Sequence, residues 1–218
     1  MRFCGAQDRL IRRQAGNDLS DFQLRKVAEA DFPSRFGHFR IFGFEGVRET
    51  ETEEALALRL GEITDPGKPP LVRIHSQCLT GDVLHSLRCD CRAQLELALD
   101  QIREEGRGLL IYEHQEGRGI GLLNKLRAYE LQDQGLDTVE ANERLGFRAD
   151  LRDYALPAAI LHYFGVRRVR LLSNNPEKVA ALENAGIEVV ERAPIIAPVV
   201  ESTLEYLKTK REKLGHLF

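Results

Sequence analysis

The stretch VRRVRLLSNNPEKVAALENAGIEVVER at residues 166–192 contains one complete strand–helix–strand unit. Its first part, VRRVRLLS (166–173), has the apolar and β-branched composition of a strand. NPEKVAALENAG (175–186) is predicted as a helix because proline stands near its start and glycine at its end. IEVVER (187–192) then predicts a second strand. Strands joined through a helix are typical of α/β proteins.

The same alternation extends back along the chain to residue 71. The predicted strands are LVRIHS (71–76) and GLLIYEH (108–114). The predicted helices are CRAQLELALDQIREEG (91–106), GIGLLNKLRAYELQDQG (119–135), a short one starting at Asp137, and DYALPAAILHYFG (153–165). Pro157 must lie in the first turn of the last of these helices, where its missing N–H is tolerated. The region from 71 to 192 therefore predicts an α/β fold.

The N-terminal third is richer in strands. Residues 26–60 are expected to form short strands, including HFRIFGF (38–44) and ALALRLGEI (55–63), and TDPGKPP (64–70) is a loop. A charged helix, TLEYLKTKREKLGH (203–216), is predicted near the C-terminus. We expect an α/β fold with some α+β character, in which helices flank a mixed sheet whose N-terminal third is β-rich.

Composition limits the classes of protein that the chain fits. Its 218 residues, 43% hydrophobic and 30% charged, allow a sizeable core. The formal net charge of -3 argues against nucleic acid as a partner. No apolar run approaches the roughly 18 residues that span a membrane, and the first residues lack the apolar core of a secretory signal. We expect a cytoplasmic protein with a polar extension at 1–25 and a single catalytic domain at 26–218.

Three of the four cysteines lie close together in the sequence. Cys78, Cys89 and Cys91 fall within 14 residues, whereas Cys4 is remote. Two cysteines one residue apart point to one side of a strand or tight turn, and a third can reach them across a loop. Three protein ligands and an open position are typical of catalytic zinc, which lowers the pKa of bound water to roughly 7. The spacing thus suggests a catalytic metal site.

Two other interpretations of the cysteines remain open at this point. One is that they are free thiols without a ligand. The other is a structural zinc site that His75 or His85 closes as the fourth ligand.

A glycine-rich segment, YEHQEGRGIG (112–121), stands between a predicted strand and a predicted helix. Its alternate glycines allow close backbone approach to a ligand, and amides at a helix start bind phosphate. Arg118 adds a planar phosphate donor, and Glu116 a hydrogen-bond acceptor. The bare pattern is also compatible with a simple strand-to-helix turn, because it lacks the spacing of the dinucleotide-binding and P-loop motifs.

Several charged residues surround these segments. Arg73 stands out because it lies within an apolar strand just before the first cysteine of the cluster. Lys125 and Arg127 are expected to be solvated, as most isolated surface charges are.

Five blocks of the sequence resemble the signatures of the GTP cyclohydrolase II family. They are RIHSQCLTGD (73–82), SLRCDC (86–91), QEGRGIGLLNKLRAYELQDQGLDTVEAN (115–142), LGFRADLRDY (145–154) and NNPEKV (174–179). The resemblance runs from about residue 26 to the C-terminus and is densest over 71–192. Blocks of this length in this order are highly specific.

The resemblance implies an activity, cofactors and partners. The family hydrolyses GTP to 2,5-diamino-6-ribosylamino-4(3H)-pyrimidinone 5′-phosphate, formate and diphosphate, the first step of riboflavin biosynthesis. It implies one Zn²⁺ per subunit, Mg²⁺ with the triphosphate, and a homodimer. No nucleic acid or membrane partner is implied.

The resemblance also assigns roles to individual residues. The zinc ligands are Cys78, Cys89 and Cys91. The substrate-binding residues are Arg73, Ile74, His75, Ser76, Gln77, Gln94, Glu116, Gly117, Arg118, Thr138, Ser173 and Lys178. Asp150 corresponds to the proton acceptor, Arg152 to the nucleophile, and Tyr129 to a tyrosine near the ring chemistry. A guanidinium stays protonated, with a pKa above about 12, so electrostatic stabilisation is the safer physical role for Arg152.

The sequence departs from the family pattern at a few positions. Gln77 stands where the family usually has Glu, His114 replaces a common Arg, and Ser173 replaces a usual Thr. The pattern leaves two further functions open: a paralogue that stops at the formylated intermediate, and a zinc-stabilised regulatory protein that binds nucleotide without turnover. Tyr129 argues against the first, while Gln77 weakly favours it. The Asp150 and Arg152 pair and the open three-thiolate set argue against the second.

Overall fold

The computed structural model describes residues 22–49, 51–65, 67–197, 208–209, 211–213, 215 and 217. The predicted extension up to residue 21, with Cys4, therefore lies outside the described residues. Of the helix predicted at 203–216, residues 208, 209 and 211–213 are helical, and the rest of its length, except residue 215, is not described. Within the described part of the chain, no helix has the length and apolar character needed to cross a membrane.

Besides the helical residues near the C-terminus, the described residues form seven strands and six α-helices. The strands are β1 (Phe22–Ser34), β2 (Gly37–Arg48), β3 (Glu51–Leu60), β4 (Leu71–Ser76), β5 (Gly108–Glu113), β6 (Arg168–Leu172) and β7 (Glu188–Ala193). The helices are α1 (Leu79–Asp82), α2 (Cys91–Glu105), α3 (Leu122–Asp133), α4 (Thr138–Arg144), α5 (Ala155–Tyr163) and α6 (Pro176–Asn184). A single 3₁₀ turn, Glu116–Gly119, precedes α3.

All seven strands belong to one mixed sheet in the order β1-β2-β3-β5-β4-β6-β7. Strands β1, β2, β3 and β5 pair antiparallel, whereas β5, β4, β6 and β7 pair parallel. The expected α/β fold with a mixed sheet and a β-rich N-terminal third is confirmed. Strand β1 begins at Phe22, so the sheet includes the last four residues of the segment assigned to the extension.

Helices pack on both faces of the parallel half. Along β5, Leu109 and Ile111 face one apolar cluster while Leu110 faces the other, as the alternation of a strand requires. The first cluster includes side chains of α5 and α6, and the second includes side chains of α2. Apolar side chains on both faces of β5 explain why its sequence, GLLIYE, is a nearly continuous apolar run.

Several details differ from the sequence predictions. The N-terminal strands β1, β2 and β3 have 13, 12 and 10 residues and are longer than the short strands expected, because they pair antiparallel along nearly their whole length. Helix α3 begins at Leu122 rather than at residue 119, because Gly119 and Gly121 have φ angles of 90° and 83°. These angles cannot continue a right-handed helix. Helix α1 was not predicted, since a four-residue turn is too short to show helical periodicity.

The order of the parallel strands places three chain segments at one edge of the sheet. Strands β5 and β6 lie on opposite sides of β4, so the connections that follow β4, β5 and β6 meet at their carboxyl ends. In open α/β sheets, this is where ligands bind. The segments are residues 77–78, 114–116 and 173–175.

Candidate active site

A cleft opens at this edge of the sheet. The space inside it, including the open solvent at its mouth, is about 1080 Å³. Among the site residues predicted from the sequence, all but Ile74 and Asp150 line it. Ile74 is fully buried in the apolar core, so it can reach the cleft only through its backbone. Asp150 lies behind Arg152, to which it is hydrogen bonded.

The three clustered cysteines converge on one wall of the cleft. Cys78 follows β4, Cys91 begins α2, and Cys89 lies in the turn between α1 and α2. Their sulfur atoms all lie within 4.8 Å of one another, and the Sγ atoms of Cys78 and Cys89 are 3.6 Å apart. Tetrahedral zinc with Zn–S bonds of about 2.3 Å separates its sulfur ligands by about 3.8 Å. The donor set and its spacing therefore fit a zinc ion.

Among the described residues, no histidine or carboxylate lies close enough to the three cysteines to act as a fourth ligand. His75 is buried and its Nε2 lies 3.1 Å from Asp82 Oδ2. His85 is exposed to solvent and lies outside the cluster. Neither histidine closes a four-ligand structural site in this arrangement, so a position on the metal would remain open.

The three thiols titrate as one group. Hydrogen bonds from the Cys89 and Cys91 thiols lower the pKa of Cys78, and Lys125 acts in the same direction. The hydrogen bond to Cys78 raises the pKa of Cys89 to about 11 and also raises the pKa of Cys91. A divalent cation would displace the protons that Cys89 and Cys91 hold.

Lys125 corrects a prediction, because it is not solvated. Its Nζ lies 3.1 Å from Cys78 Sγ and 2.7 Å from Glu116 Oε1, and its side chain is only 12% exposed. Burial acts to lower the pKa of Lys125, but Cys78 and Glu116 outweigh it and raise that pKa, so the ammonium group is charged. A sequence signal existed: Lys125 lies one helical turn before Tyr129 and so shares its helix face. Arg127 is exposed, as predicted.

Two buried cations, Arg73 and Lys178, line another part of the cleft wall. Arg73 donates to Leu172 O (2.9 Å) and Gln94 Oε1 (2.8 Å), so two neutral acceptors hold its guanidinium. Lys178 Nζ donates to Ile74 O at 2.8 Å.

Burial lowers the pKa of Arg73 to about 10. It also lowers the pKa of Lys178, with Arg152 and Arg73 adding to the effect. Buried cations of like charge are unfavourable together unless an anion joins them. This wall is therefore suited to a phosphate chain.

Asp150 and Arg152 form a buried ion pair beside these cations. Arg152 Nε donates to Asp150 Oδ1 at 2.9 Å, and Nη2 lies 2.5 Å from Oδ2. Burial acts to lower the pKa of Arg152, but Tyr154 and Asp150 raise it well above its ordinary value. Arg152 is therefore a permanent cation, which favours an electrostatic role over attack by a neutral guanidine.

The glycine-rich segment turns sharply beneath the cleft. Gly117 and Arg118 both have a φ of 62°, a left-handed conformation that is uncommon for a residue such as Arg118. The Nη1 and Nη2 atoms of Arg118 are buried and have no hydrogen-bond partner among the described residues. An unpaired buried guanidinium is costly, so this side chain is poised for an anionic ligand.

Tyr129 lies on the same wall as the cysteines. Its hydroxyl group is 3.1 Å from Thr80 Oγ1, and the Arg88 guanidinium lies 4.8 Å from its ring centroid. Burial raises the pKa of Tyr129, so its hydroxyl group stays protonated at neutral pH. The hydroxyl group is thus available as a proton or hydrogen-bond donor.

Several residues of the cleft were not found from the sequence. The residues that line it without having been predicted are Arg88, Gln115, Ile120, Lys125, Ala128, Gln132, Asn142, Asn174 and Asn175. Gln115 ties the end of β5 to the segment that carries the ion pair, because it donates to Asp153 O and accepts from Asp153 N at 2.9 Å. Isolated amide side chains of this kind do not form a motif with a recognisable spacing, so the sequence gives no signal for them.

The positions that depart from the family pattern differ in location. Gln77 lines the cleft, and its backbone N–H donates to Glu113 O at 2.9 Å. Ser173 Oγ accepts from Asn175 N at 3.1 Å, so the hydroxyl group still stabilises its loop. His114 is exposed and lies 3.7 Å from Glu54, outside the cleft.

Comparison with known proteins identifies the family. The sequence profile described as GTP cyclohydrolase II matches residues 25–194. The chain is 56% identical over 195 residues to "GTP cyclohydrolase-2" of Shigella boydii, covering 89% of this chain and 98% of that protein. It is 55% identical to the protein of that name from Proteus mirabilis, covering 89% and 96%. The Haemophilus influenzae protein of that name is 52% identical, with 89% of each chain covered.

The profile match covers the whole cleft and all of the sheet except the first three residues of β1. The chain therefore belongs to the GTP cyclohydrolase II family and is an enzyme of that family.

Proposed function

We propose that the chain uses zinc to hydrolyse GTP to 2,5-diamino-6-ribosylamino-4(3H)-pyrimidinone 5′-phosphate, formate and diphosphate. The observation that carries the proposal is that one cleft is lined both by three convergent thiols and by four cations, the buried Arg73 and Lys178 together with Arg118 and Arg152. A nucleotide placed in it would have its base near the sulfur atoms and its phosphates near the cations. Family membership supports GTP as the substrate.

Cys78, Cys89 and Cys91 would hold the zinc ion. When bound, zinc supplies a Lewis acid that activates water for attack on the purine ring. Tyr129 would donate a hydrogen bond or proton to the ring as charge develops, a role that its protonated hydroxyl group allows. These residues account for ring opening and for the loss of formate.

The cations that line the cleft would bind the triphosphate. Arg73, Lys178 and Arg118 would neutralise phosphate oxygens, and Mg²⁺ would accompany the triphosphate. Arg152 would stabilise the charge that develops as diphosphate leaves, while Asp150 keeps its guanidinium oriented through their ion pair. The remaining predicted contacts, from His75, Ser76, Gln77, Gln94, Glu116, Gly117, Thr138 and Ser173, are part of the same proposal, as is a homodimer.

The test is a product analysis. Purified protein is incubated with GTP, Zn²⁺ and Mg²⁺, the pyrimidine product is identified by mass, and formate and diphosphate are quantified. Equal yields of formate and diphosphate are expected. Diphosphate without formate would instead support a paralogue that stops at the formylated intermediate, and intact GTP would contradict the proposal.

The zinc role has its own control pair. Cys89→Ser should lose zinc and formate release together, whereas Cys4→Ser, outside the described residues, should keep both. Turnover that persists in a metal-free Cys89→Ser protein would refute the role of zinc.

A further inference from the structure

Lys125 joins the metal-binding cysteines to the glycine-rich turn. Its Nζ lies between Cys78 Sγ at 3.1 Å and Glu116 Oε1 at 2.7 Å. The side chains of Lys125 and Glu116 are 12% and 8% exposed, so water screens these contacts little. A long, flexible lysine held at both contacts is thus a fixed part of the cleft wall.

Both carboxylate oxygen atoms of Glu116 accept hydrogen bonds from donors of the chain itself. Its Oε2 accepts from Leu79 N at 2.7 Å, and its Oε1 accepts from Gly117 N at 3.1 Å as well as from Lys125. Leu79 directly follows Cys78. The contacts therefore form a closed network that links the Cys78 sulfur, the Lys125 ammonium group, the Glu116 carboxylate and the Leu79 backbone. This carboxylate fixes the loop that carries Cys78, and only one of its oxygen atoms has room for another donor.

The charge balance of the metal site gives this network of contacts a chemical role. Three thiolates around a divalent cation carry a net charge of about -1 and are strong electron donors. An ammonium hydrogen bond to one of the sulfurs withdraws electron density from it and weakens its donation. The metal would then remain a better Lewis acid than three unmodified thiolates would allow.

We propose that Lys125 is a positioning residue, a proposal that rests on the zinc site of the proposed function. Lys125 would lower the donor strength of the Cys78 thiolate and link the loop that carries Cys78 to Glu116. It touches neither the metal nor the reacting atoms. Its effect reaches the chemistry through the sulfur atom of Cys78.

The experiment uses the full chain loaded with Co²⁺, whose sulfur-to-metal charge-transfer absorption reports the donor strength of the thiolates. In Lys125→Met, which keeps chain length and removes the ammonium group, the band should move to lower energy. Zinc affinity, measured by competition with a chelator, should fall about 10–100-fold, because the loop that carries Cys78 loses its link to Glu116 and this loss outweighs the stronger donation of the freed thiolate. In Lys125→Arg, which keeps the positive charge, both the band energy and the zinc affinity should lie closer to those of the unmodified protein than in Lys125→Met.

Lys68→Met is the matched control, because Lys68 pairs with Glu105 at 3.3 Å on the surface and its side chain is 56% exposed. Its band position and zinc affinity should equal those of the unmodified protein. If Lys125→Met does not fold, Lys125→Gln replaces it, with the same expected shift.

The outcomes separate the two proposals. If the unmodified protein shows no thiolate charge-transfer band, the zinc site itself fails, and with it the proposed function. If that band is present but neither its energy nor the zinc affinity changes in the Lys125 variant, the tuning role of Lys125 is overturned while the zinc site stands.

Discussion

Gly81 faces the sulfur atom of Cys89 so closely that no side chain fits between them. A Cβ atom at Gly81 would lie 2.9 Å from Cys89 Sγ and 3.0 Å from Cys78 Sγ. Gly81 lies in helix α1 with an ordinary backbone conformation, so space rather than conformation requires glycine there. The helical turn that sequence periodicity did not reveal thus packs directly against the three-cysteine cluster.

We predict that Gly81→Ala weakens zinc binding. The methyl group must push the sulfur atoms apart, and crowding of this kind costs about 1–3 kcal/mol. That cost corresponds to a loss of zinc affinity of about 5–150-fold, which chelator competition measures. Gly43→Ala is the control, because nothing lies within 4 Å of a Cβ there. Equal zinc affinity in the two variants would show that the site tolerates the methyl group.

Tyr129→Phe should fold normally and lose ring processing. The substitution removes the hydroxyl group that contacts Thr80 and leaves the aromatic ring beneath Arg88. If this hydroxyl group is the donor, formate release should fall by about 10²-fold or more, while the melting temperature changes little. The half-exposed Tyr163 provides the control Tyr163→Phe. A formate yield equal to that of the unmodified protein would remove Tyr129 from the mechanism.

Arg118→Met should stabilise the empty protein and weaken nucleotide binding. Relief of a buried, unpaired guanidinium is worth about 1–3 kcal/mol, and each kcal/mol raises the melting temperature of a chain of this size by about 2–4 °C. Binding of a non-hydrolysable GTP analogue, measured by calorimetry, should weaken in the same variant. The exposed Arg127 gives the control Arg127→Met. A lower melting temperature with unchanged binding would assign Arg118 a purely structural role.

The elements with strong local signals were predicted from the sequence. Strand β4 coincides with LVRIHS, and the three cysteines that the sequence grouped together lie within 4.8 Å of one another in the fold. Glycine at the end of α2 was predicted, and Gly106 caps that helix with a φ of 72°. These features depend mainly on residues that are close together in the sequence, so they can be predicted from local sequence patterns.

The features that were missed depend on contacts between distant segments. Lys125 looked like a solvated charge because neither Cys78 nor Glu116 is within one helical turn of it in the sequence. The start of α3 was misplaced because glycines at 119 and 121 allow either a helix or a left-handed turn, and only the tertiary structure selects one. Long-range packing thus determines both the wall of the cleft and the local backbone.

Helix α4, which presents Thr138 and Asn142 to the cleft, begins with a capping box. Asp137 Oδ1 accepts from Val139 N (2.8 Å) and from Glu140 N (3.0 Å). Glu140 accepts from Asp137 N in return at 3.0 Å. Partial burial acts to raise the pKa of Asp137, but Lys213 and the backbone N–H groups outweigh it and lower that pKa.

Asp137→Ala should therefore destabilise the protein in a pH-dependent manner. At pH 7 the loss of the cap should cost about 1 kcal/mol in the free energy of unfolding. Because folding lowers the pKa of this carboxyl group, its stabilisation is present above the ordinary value of 3.8 and is lost as the pH falls through the folded-state pKa. Urea unfolding of both proteins should converge in acid. Asp133→Ala, which removes a carboxylate whose side chain is 63% exposed, should show no comparable loss at pH 7. A difference between Asp137→Ala and the unmodified protein that stays constant down to acid pH would contradict a charged cap.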